Sequence, residues 1–267
     1  GYEKDAFLHY TDLGPGFKTY QAFFKSVLAG NIDNINSVKY QHQIDKGGKI
    51  SDVLSAKTLI PVQVFKEPIS TKGPRLTTEI SIAGRYLILT PFVQTIGVSK
   101  KIGDDEERDR LKRLLKSLTP KNFGVIIRTF AQGKGAAELH KDLTNLIQKW
   151  ELMLDNLKGA AYRQKVLTEI DKSSILIRDL MSDKFKAIHT SDAVLASEME
   201  EYITSVSPDQ KDIVKVYKGK NPIFDNFDIT RQIKSSFGNT VNYGKGPYLV
   251  IEHTEALHVV DVNSGHK

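Results

Sequence analysis

Between residues 139 and 157 large apolar side chains recur every three or four positions, at Leu139, Leu143, Leu146, Trp150, Leu154 and Leu157. A 3.6-residue repeat stacks such positions on one stripe, so the spacing predicts a long amphipathic helix. Gln132-Gly133-Lys134-Gly135 leads into it as a turn, and Gly159 can close it. Upstream, Gly124-Val125-Ile126-Ile127-Arg128-Thr129 reads as a buried strand whose end carries a guanidinium and a hydroxyl. A charged helix from about Asp104 to Leu118, ended by Pro120, comes before that strand. Earlier still, Ser81–Pro91 reads as one strand with Gly84 inside it, and an interior glycine marks close backbone approach. The glycines around Lys134 do not make a nucleotide-binding loop, because Gly135 stands where Ser or Thr is required.

At 267 residues, two to four compact units are expected, and 40% hydrophobic residues suffice for real cores. No apolar run approaches the ~18 residues of a membrane span. Gly1-Tyr2-Glu3-Lys4-Asp5 is polar and lacks the apolar core of a secretory signal. With zero Cys there are no disulfides and no thiolate metal sites, which fits a cytoplasmic protein. A net charge of +6, from 38 basic and 32 acidic residues, favours a polyanionic partner. The charges are mixed along the chain, which argues against a disordered basic tail.

Residues 1–78 alternate short strand-like runs with turn clusters. Asp5–Leu8, Thr58–Phe65 and Leu76–Ile82 are the strand candidates, Thr71-Lys72-Gly73-Pro74 a turn, and Ile32–Lys49 a polar loop. Short strands with little helix suggest a small barrel. Residues 161–240 alternate between the two kinds of element. Ser174–Leu180, Asp192–Val206 and Phe227–Phe237 are helical; Lys186–Thr190 and Ile213–Tyr217 are strands. That alternation indicates an α/β layer. The fold class expected overall is α+β with several subdomains.

In the last twenty residues, the β-branched runs Tyr248–Glu252 and Ala256–Val262 flank His253-Thr254-Glu255, a hairpin in outline. Residues two apart on a strand share a face, so Asp261 and Asn263 project together at its end. A carboxylate beside a carboxamide suits an oxygen-liganded magnesium ion. The plainer reading is an Asn-Ser-Gly turn with an incidental aspartate. A calcium loop is a weaker rival, since for an EF-hand the glycine falls one place early, a strand precedes the motif where a helix should, and the closing Glu is absent. His189, His253 and His258 lack metal-ligand spacing and read as structural or solvated.

TEALHVVDVNSGHK closely resembles the catalytic strand of the ribonuclease E/G family of bacterial endoribonucleases. IAGRYLILTP, GVSKKIGDD and GVIIRTFAQGKG fall in the order of that family's 5′-sensor, and VKVYKGKNPIFDNFDITRQI matches the end of its RNase H-like subdomain. The resemblance implies an OB-fold RNA-binding portion at 1–78, the 5′-sensor at 79–160, the RNase H-like unit at 161–240 and the start of a DNase I-like catalytic subdomain at 241–267. It places Phe7 as an RNA-stacking aromatic and Lys72 as an RNA-contacting lysine. Gly84 and Ile88 would line a 5′-monophosphate pocket, with Arg128 and Thr129 binding the phosphate. Lys100 stands there where the family often has arginine. Asp261 would be a magnesium ligand and Asn263 its catalytic companion. Taken without the resemblance, a strand Phe is more often core, and a strand-end Arg pairs equally well with a neighbouring acid.

The family's second metal-binding aspartate falls beyond Lys267, as does the cysteine motif through which its subunits share zinc. The chain therefore reads as an internal stretch of a longer, oligomeric enzyme, inactive by itself. The function expected is magnesium-dependent hydrolysis of single-stranded RNA, in processing of rRNA or decay of mRNA. A different class, a non-catalytic RNA-binding module, uses the same barrel and phosphate pocket for recognition alone.

Overall fold

The computed structural model describes residues 3–31, 34–168, 172–181, 185–243 and 246–265. The chain divides into two compact units, Gly1–Ile170 and Asp171–Lys267, and is mixed α and β throughout. No helix among the described residues is long and apolar enough to cross a membrane.

The first unit begins with β1 (Phe7–Leu8) and a twelve-residue helix α1 (Phe17–Leu28). The short-strand reading of residues 1–78 did not include α1. Its aromatic residues have high strand propensity, but Phe17, Tyr20, Phe23, Phe24 and Val27 are buried together on one helical face. Strands β2 (Gln63–Lys66) and β3 (Arg75–Thr77) complete a three-stranded sheet in the order β1-β3-β2. The expected strand over Thr58–Phe65 forms only at its end, since residues 58–62 are irregular. Arg75 holds β3 to the turn at Tyr10–Leu13 through a two-pronged contact with Asp12, at 2.7 and 2.8 Å.

The second sheet contains β4 (Ile82–Ala83), β5 (Leu87–Pro91), β6 (Ile96–Val98) and β7 (Phe123–Ile127), in the order β4-β5-β7-β6. The run Ser81–Pro91 is therefore two strands, and Gly84 lies in the turn joining them. Helix α2 (Asp105–Leu118) connects β6 to the parallel β7. Asp104 caps it, accepting from the N–H groups of Glu106 and Glu107. Helix α3 (Ala136–Lys158) buries Leu139, Leu143, Leu146, Trp150, Leu154 and Leu157, the predicted stripe. One core joins these residues to Leu87, Leu89, Val125 and Ile127 of the sheet and to the aromatic face of α1. Trp150 packs its ring against Phe23, Phe24, Phe92 and Phe123 at centroid separations of 5.9–6.4 Å.

The second unit has helix α4 (Lys172–Leu180), strand β8 (Ile188–Thr190), helix α5 (Ala193–Val206) and strand β9 (Val214–Val216), with β8 and β9 parallel. Asp192 caps α5 by accepting from Val194 and Leu195 N–H. The helix expected over Phe227–Phe237 forms as α7 (Ile229–Ser236), and a short helix α6 (Ile223–Asn226) precedes it, set off by Phe227 and by Asp228 in the left-handed conformation, φ 58°. Strands β10 (Thr240–Asn242), β11 (Tyr248–His253) and β12 (His258–Asn263) form an antiparallel sheet with β11 at its centre. The hairpin of β11 and β12 is where the sequence placed it, and β10 is an addition.

Candidate active site and phosphate pocket

In the first unit, β5 and β7 lie side by side with Ile88 opposite Ile126 and Leu87 opposite Ile127. Alternation sends Leu87, Leu89, Val125 and Ile127 into the core and leaves Ile88 and Ile126 on the outer face, where Ile126 is 44% exposed. The ladder runs one step past the end of β7, where Arg128 N–H donates to Tyr86 O at 2.8 Å. Two residues beyond Ile126, Arg128 shares that outer face, and its Nη1 donates to Gly84 O at 2.7 Å. Gly84, Ile88 and Arg128 thus meet at one end of the sheet.

The turn that holds Gly84 is closed by Gly84 N–H donating to Leu87 O at 2.8 Å. The next three amides, of Arg85, Tyr86 and Leu87, all donate to the Asp142 carboxylate, at 3.2, 2.9 and 3.0 Å. A Cβ on Gly84 would stand 2.6 Å from Asp142 Oδ2, so glycine is what allows the carboxylate to come this close. Burial raises the Asp142 pKa above the usual carboxylate range, against the lowering effect of the three N–H groups. Sequence reasoning missed Asp142. The readable signal was an acid within the apolar stripe of α3, three residues after Leu139 and four before Leu146.

Thr129 begins a short 3-10 turn after β7, and its hydroxyl lies 3.2 Å from Ser99 Oγ. Ser99 N–H donates to Ile127 O at 2.9 Å, which ties the segment after β6 to the end of β7. Lys100 is exposed on the next turn. Arg108 braces that turn, Nη1 donating to Ser99 O at 2.9 Å and to Ile102 O at 3.1 Å.

Glu107 of α2 accepts from Gly133 N–H at 2.8 Å and from the Arg110 fork at 2.6 and 2.8 Å. Arg110 in turn donates to Lys134 O at 3.0 Å. The Arg110 bonds, and then the Gly133 amide, depress the Glu107 pKa to about 2. Lys134 pairs with Glu138 at 3.1 Å, and Glu138 caps α3 by accepting from Gly135 N–H at 3.0 Å.

Phe7 and Lys72 lie at the β1–β3 edge and its adjoining turn. Phe7 pairs with Arg75 and is 44% exposed, so its ring is not in the core. Lys72, also exposed, exchanges backbone hydrogen bonds with Ile69 at 3.0 and 3.2 Å.

In the second unit Thr254 builds the hairpin turn, its N–H and Oγ1 each donating to Leu257 O at 2.9 Å. The register puts Asp261 opposite Val250 and Asn263 opposite Tyr248. Asp261 is exposed, and Asn263 Nδ2 donates to its Oδ2 at 2.9 Å. The glycine of the following turn is fixed by its backbone: Gly265 has φ 76°, and a Cβ there would collide with Gly246 O. The Asn-Ser-Gly turn is therefore formed, and it directly follows a hydrogen-bonded Asp and Asn. His253 and His258, which look scattered in sequence, face each other in register and touch through their Nδ1 atoms. No group of three or more His, Cys, Asp or Glu among the described residues could hold a metal ion.

The family model described as "Ribonuclease E/G family" matches residues 81–267. Ribonuclease G of Escherichia coli K12 is 31% identical over 265 residues, which cover 99% of this chain and 51% of that protein. Ribonuclease E of Nostoc sp. is 29% identical over 266 residues, 98% of this chain and 35% of that protein. A chloroplastic ribonuclease E/G-like protein of Arabidopsis thaliana is 34% identical over 238 residues, 82% of this chain and 24% of that protein. The chain spans about half the length of the ribonuclease G relatives it matches.

Proposed function

The chain belongs to the ribonuclease E/G family, and on that premise we propose that it is the RNA-sensing and partly catalytic stretch of an endoribonuclease that cleaves single-stranded RNA. The observation that carries the reading is the Asp261–Asn263 pair, hydrogen-bonded and presented at the end of a strand within the matched region. We read residues 1–78 as an OB-fold RNA-binding portion, 79–160 as a 5′-sensor, 161–240 as an RNase H-like unit and 241–267 as the start of the catalytic subdomain. A cytoplasmic location and a homo-oligomeric full-length protein belong to the same reading.

The donor set fits one side of a magnesium site. Magnesium takes hard oxygen ligands and is commonly held by one or two carboxylates together with substrate phosphates. Asp261 would supply a carboxylate, alongside a second aspartate from elsewhere in the full-length protein. Bound there, magnesium would supply an activated water and charge stabilisation at the scissile phosphate. Asn263 fixes the rotamer of Asp261 by donating to Oδ2, which leaves Oδ1 and the Asn263 amide oxygen to face the substrate.

The pocket at Arg128 serves recognition. A guanidinium, the Thr129 hydroxyl and the apolar edge of Ile88 provide a phosphate contact beside a surface for the first base. A 5′-monophosphate there adds affinity for RNA ends that carry it. Phe7 stacks on a base and Lys72 neutralises a phosphate farther along the strand.

The test is cleavage of one single-stranded oligonucleotide, carrying either a 5′-monophosphate or a 5′-hydroxyl, by the full-length protein and its Asp261→Asn and Arg128→Ala variants. Metal-dependent cleavage lost in Asp261→Asn, with end preference lost in Arg128→Ala, supports the reading. RNA binding with no cleavage by the full-length protein would leave a recognition module instead.

A further inference from the structure

We infer that Asp142 is the positioning residue of the 5′-phosphate pocket: its carboxylate gathers the backbone amides of Arg85, Tyr86 and Leu87 and thereby sets the Gly84 carbonyl that aims the Arg128 guanidinium. The inference rests on the reading of that pocket as a phosphate site. Three distances make the chain of contacts continuous. The amides reach Asp142 at 2.9–3.2 Å, Gly84 N–H closes the turn on Leu87 O at 2.8 Å, and Arg128 Nη1 reaches Gly84 O at 2.7 Å.

Two further observations show that the turn is shaped to this acid. Gly84 has no room for a Cβ because the Asp142 carboxylate occupies its place, with Oδ2 and Oδ1 at 2.6 and 2.7 Å. Arg128 also donates its own N–H to Tyr86 O, so both its backbone and its side chain are referenced to the same four-residue turn, Gly84–Leu87. Asp142 itself stands on α3, whose apolar stripe is locked in the core, so the reference point is rigid. Three converging N–H groups are a mould for an anion, and removing the acid takes away the acceptor that all three share. The turn would then relax, and displacement of a binding group by about 1 Å can cost a hundredfold in a precisely oriented site. Asp142 touches no substrate; it acts through Gly84 and Arg128.

The experiment uses the full-length protein and two oligonucleotides identical except for a 5′-monophosphate or 5′-hydroxyl. Asp142→Asn keeps the shape but replaces one acceptor oxygen with an NH2 group, and should reduce the preference for the monophosphate about tenfold, expressed in KM and not in kcat. Asp142→Ala should reduce it further. Hydrogen exchange at the Arg85–Leu87 amides should speed up in both variants. Equal losses on both substrates would mark Asp142 as a structural residue only and overturn the inference. So would a wild-type preference in the Asp142 variants while Arg128→Ala loses it, a result that leaves the phosphate pocket standing. A wild-type preference in Arg128→Ala removes the pocket itself, and the inference with it. Should the Asp142 variants fail to fold, the wild-type protein still decides. A 5′-monophosphorylated dinucleotide should slow exchange at the Arg85–Leu87 amides more than its 5′-hydroxyl form, and equal exchange would overturn the inference.

Discussion

Asn263 Nδ2 donates to Asp261 Oδ2 at 2.9 Å along one face of β12, so the carboxamide holds the carboxylate while leaving its second oxygen exposed. The pair separates charge from shape, and substitutions can address each in turn. Asp261→Asn keeps the outline and removes the charge that a magnesium ion requires. In the full-length protein it should lower the cleavage rate by about a hundredfold or more, since even residues that only orient a metal ligand are worth roughly 10–100-fold. Asn263→Ala should fall within about that 10–100-fold range, with RNA affinity changed less than turnover. Single-turnover cleavage and a binding titration in the absence of added metal distinguish the two effects. A full-rate Asp261→Asn variant would put the catalytic centre elsewhere.

Binding of single-stranded RNA should weaken steeply with salt. The net charge of +6 comes with exposed Lys72 and Lys100 beside the two segments proposed for recognition. Each neutralised phosphate of a single strand contributes about −0.7 to the slope of log affinity against log salt, so roughly three to six contacts give a slope of about −2 to −4. Fluorescence anisotropy between low and physiological salt measures it. A flat response would assign the basic excess to surface solvation alone.

The periodic and capped elements were legible in the sequence because their signals are local. The α3 stripe, the starts of α2 and α5 near Asp104 and Asp192 and the β11–β12 hairpin each depend on residues within a few positions of one another. The misses have a different physics. Ser81–Pro91 looks like one strand because every residue after Gly84 suits a sheet, yet the acid that folds its turn is Asp142, 57 residues from Arg85. Helix α1 was hidden by aromatic residues whose strand preference yields to burial against Phe92 and Trp150. The contact between His253 and His258 required the hairpin register, which sequence spacing does not supply. At the candidate sites the residue types were readable, whereas the groups that hold them in place, Asp142 and Ser99, were not.

Acid should loosen the join between α2 and the turn before α3. Glu107 has an ordinary value of 4.5 and is held at about 2 by Arg110 and the Gly133 amide. A depressed carboxylate contributes stability that is fully present above its unfolded pKa and is lost as pH falls through the folded one. The window therefore runs from about 4.5 down to about 2. Thermal midpoints of the wild type and Glu107→Gln should differ most above pH 5 and converge as pH falls toward 2.5. A constant difference across that range would mean that the Glu107 charge contributes nothing to the join.

Trp150 should tolerate phenylalanine far better than its burial suggests. Its ring is 1% exposed among Phe23, Phe24, Phe92 and Phe123, yet its buried Nε1–H meets no acceptor among the described residues. A buried donor without an acceptor carries a desolvation cost of about 1–3 kcal/mol, which phenylalanine removes together with part of the ring area. The two changes oppose each other, so Trp150→Phe should cost less than about 2 kcal/mol, whereas Trp150→Ala opens a cavity and should cost about 3–5 kcal/mol. Trp150 is the chain's single tryptophan, so its fluorescence disappears in both variants and circular dichroism must follow unfolding in urea. Equal destabilisation by the two substitutions would show that the indole N–H is satisfied in solution, by a water or by a shift of the ring toward an acceptor.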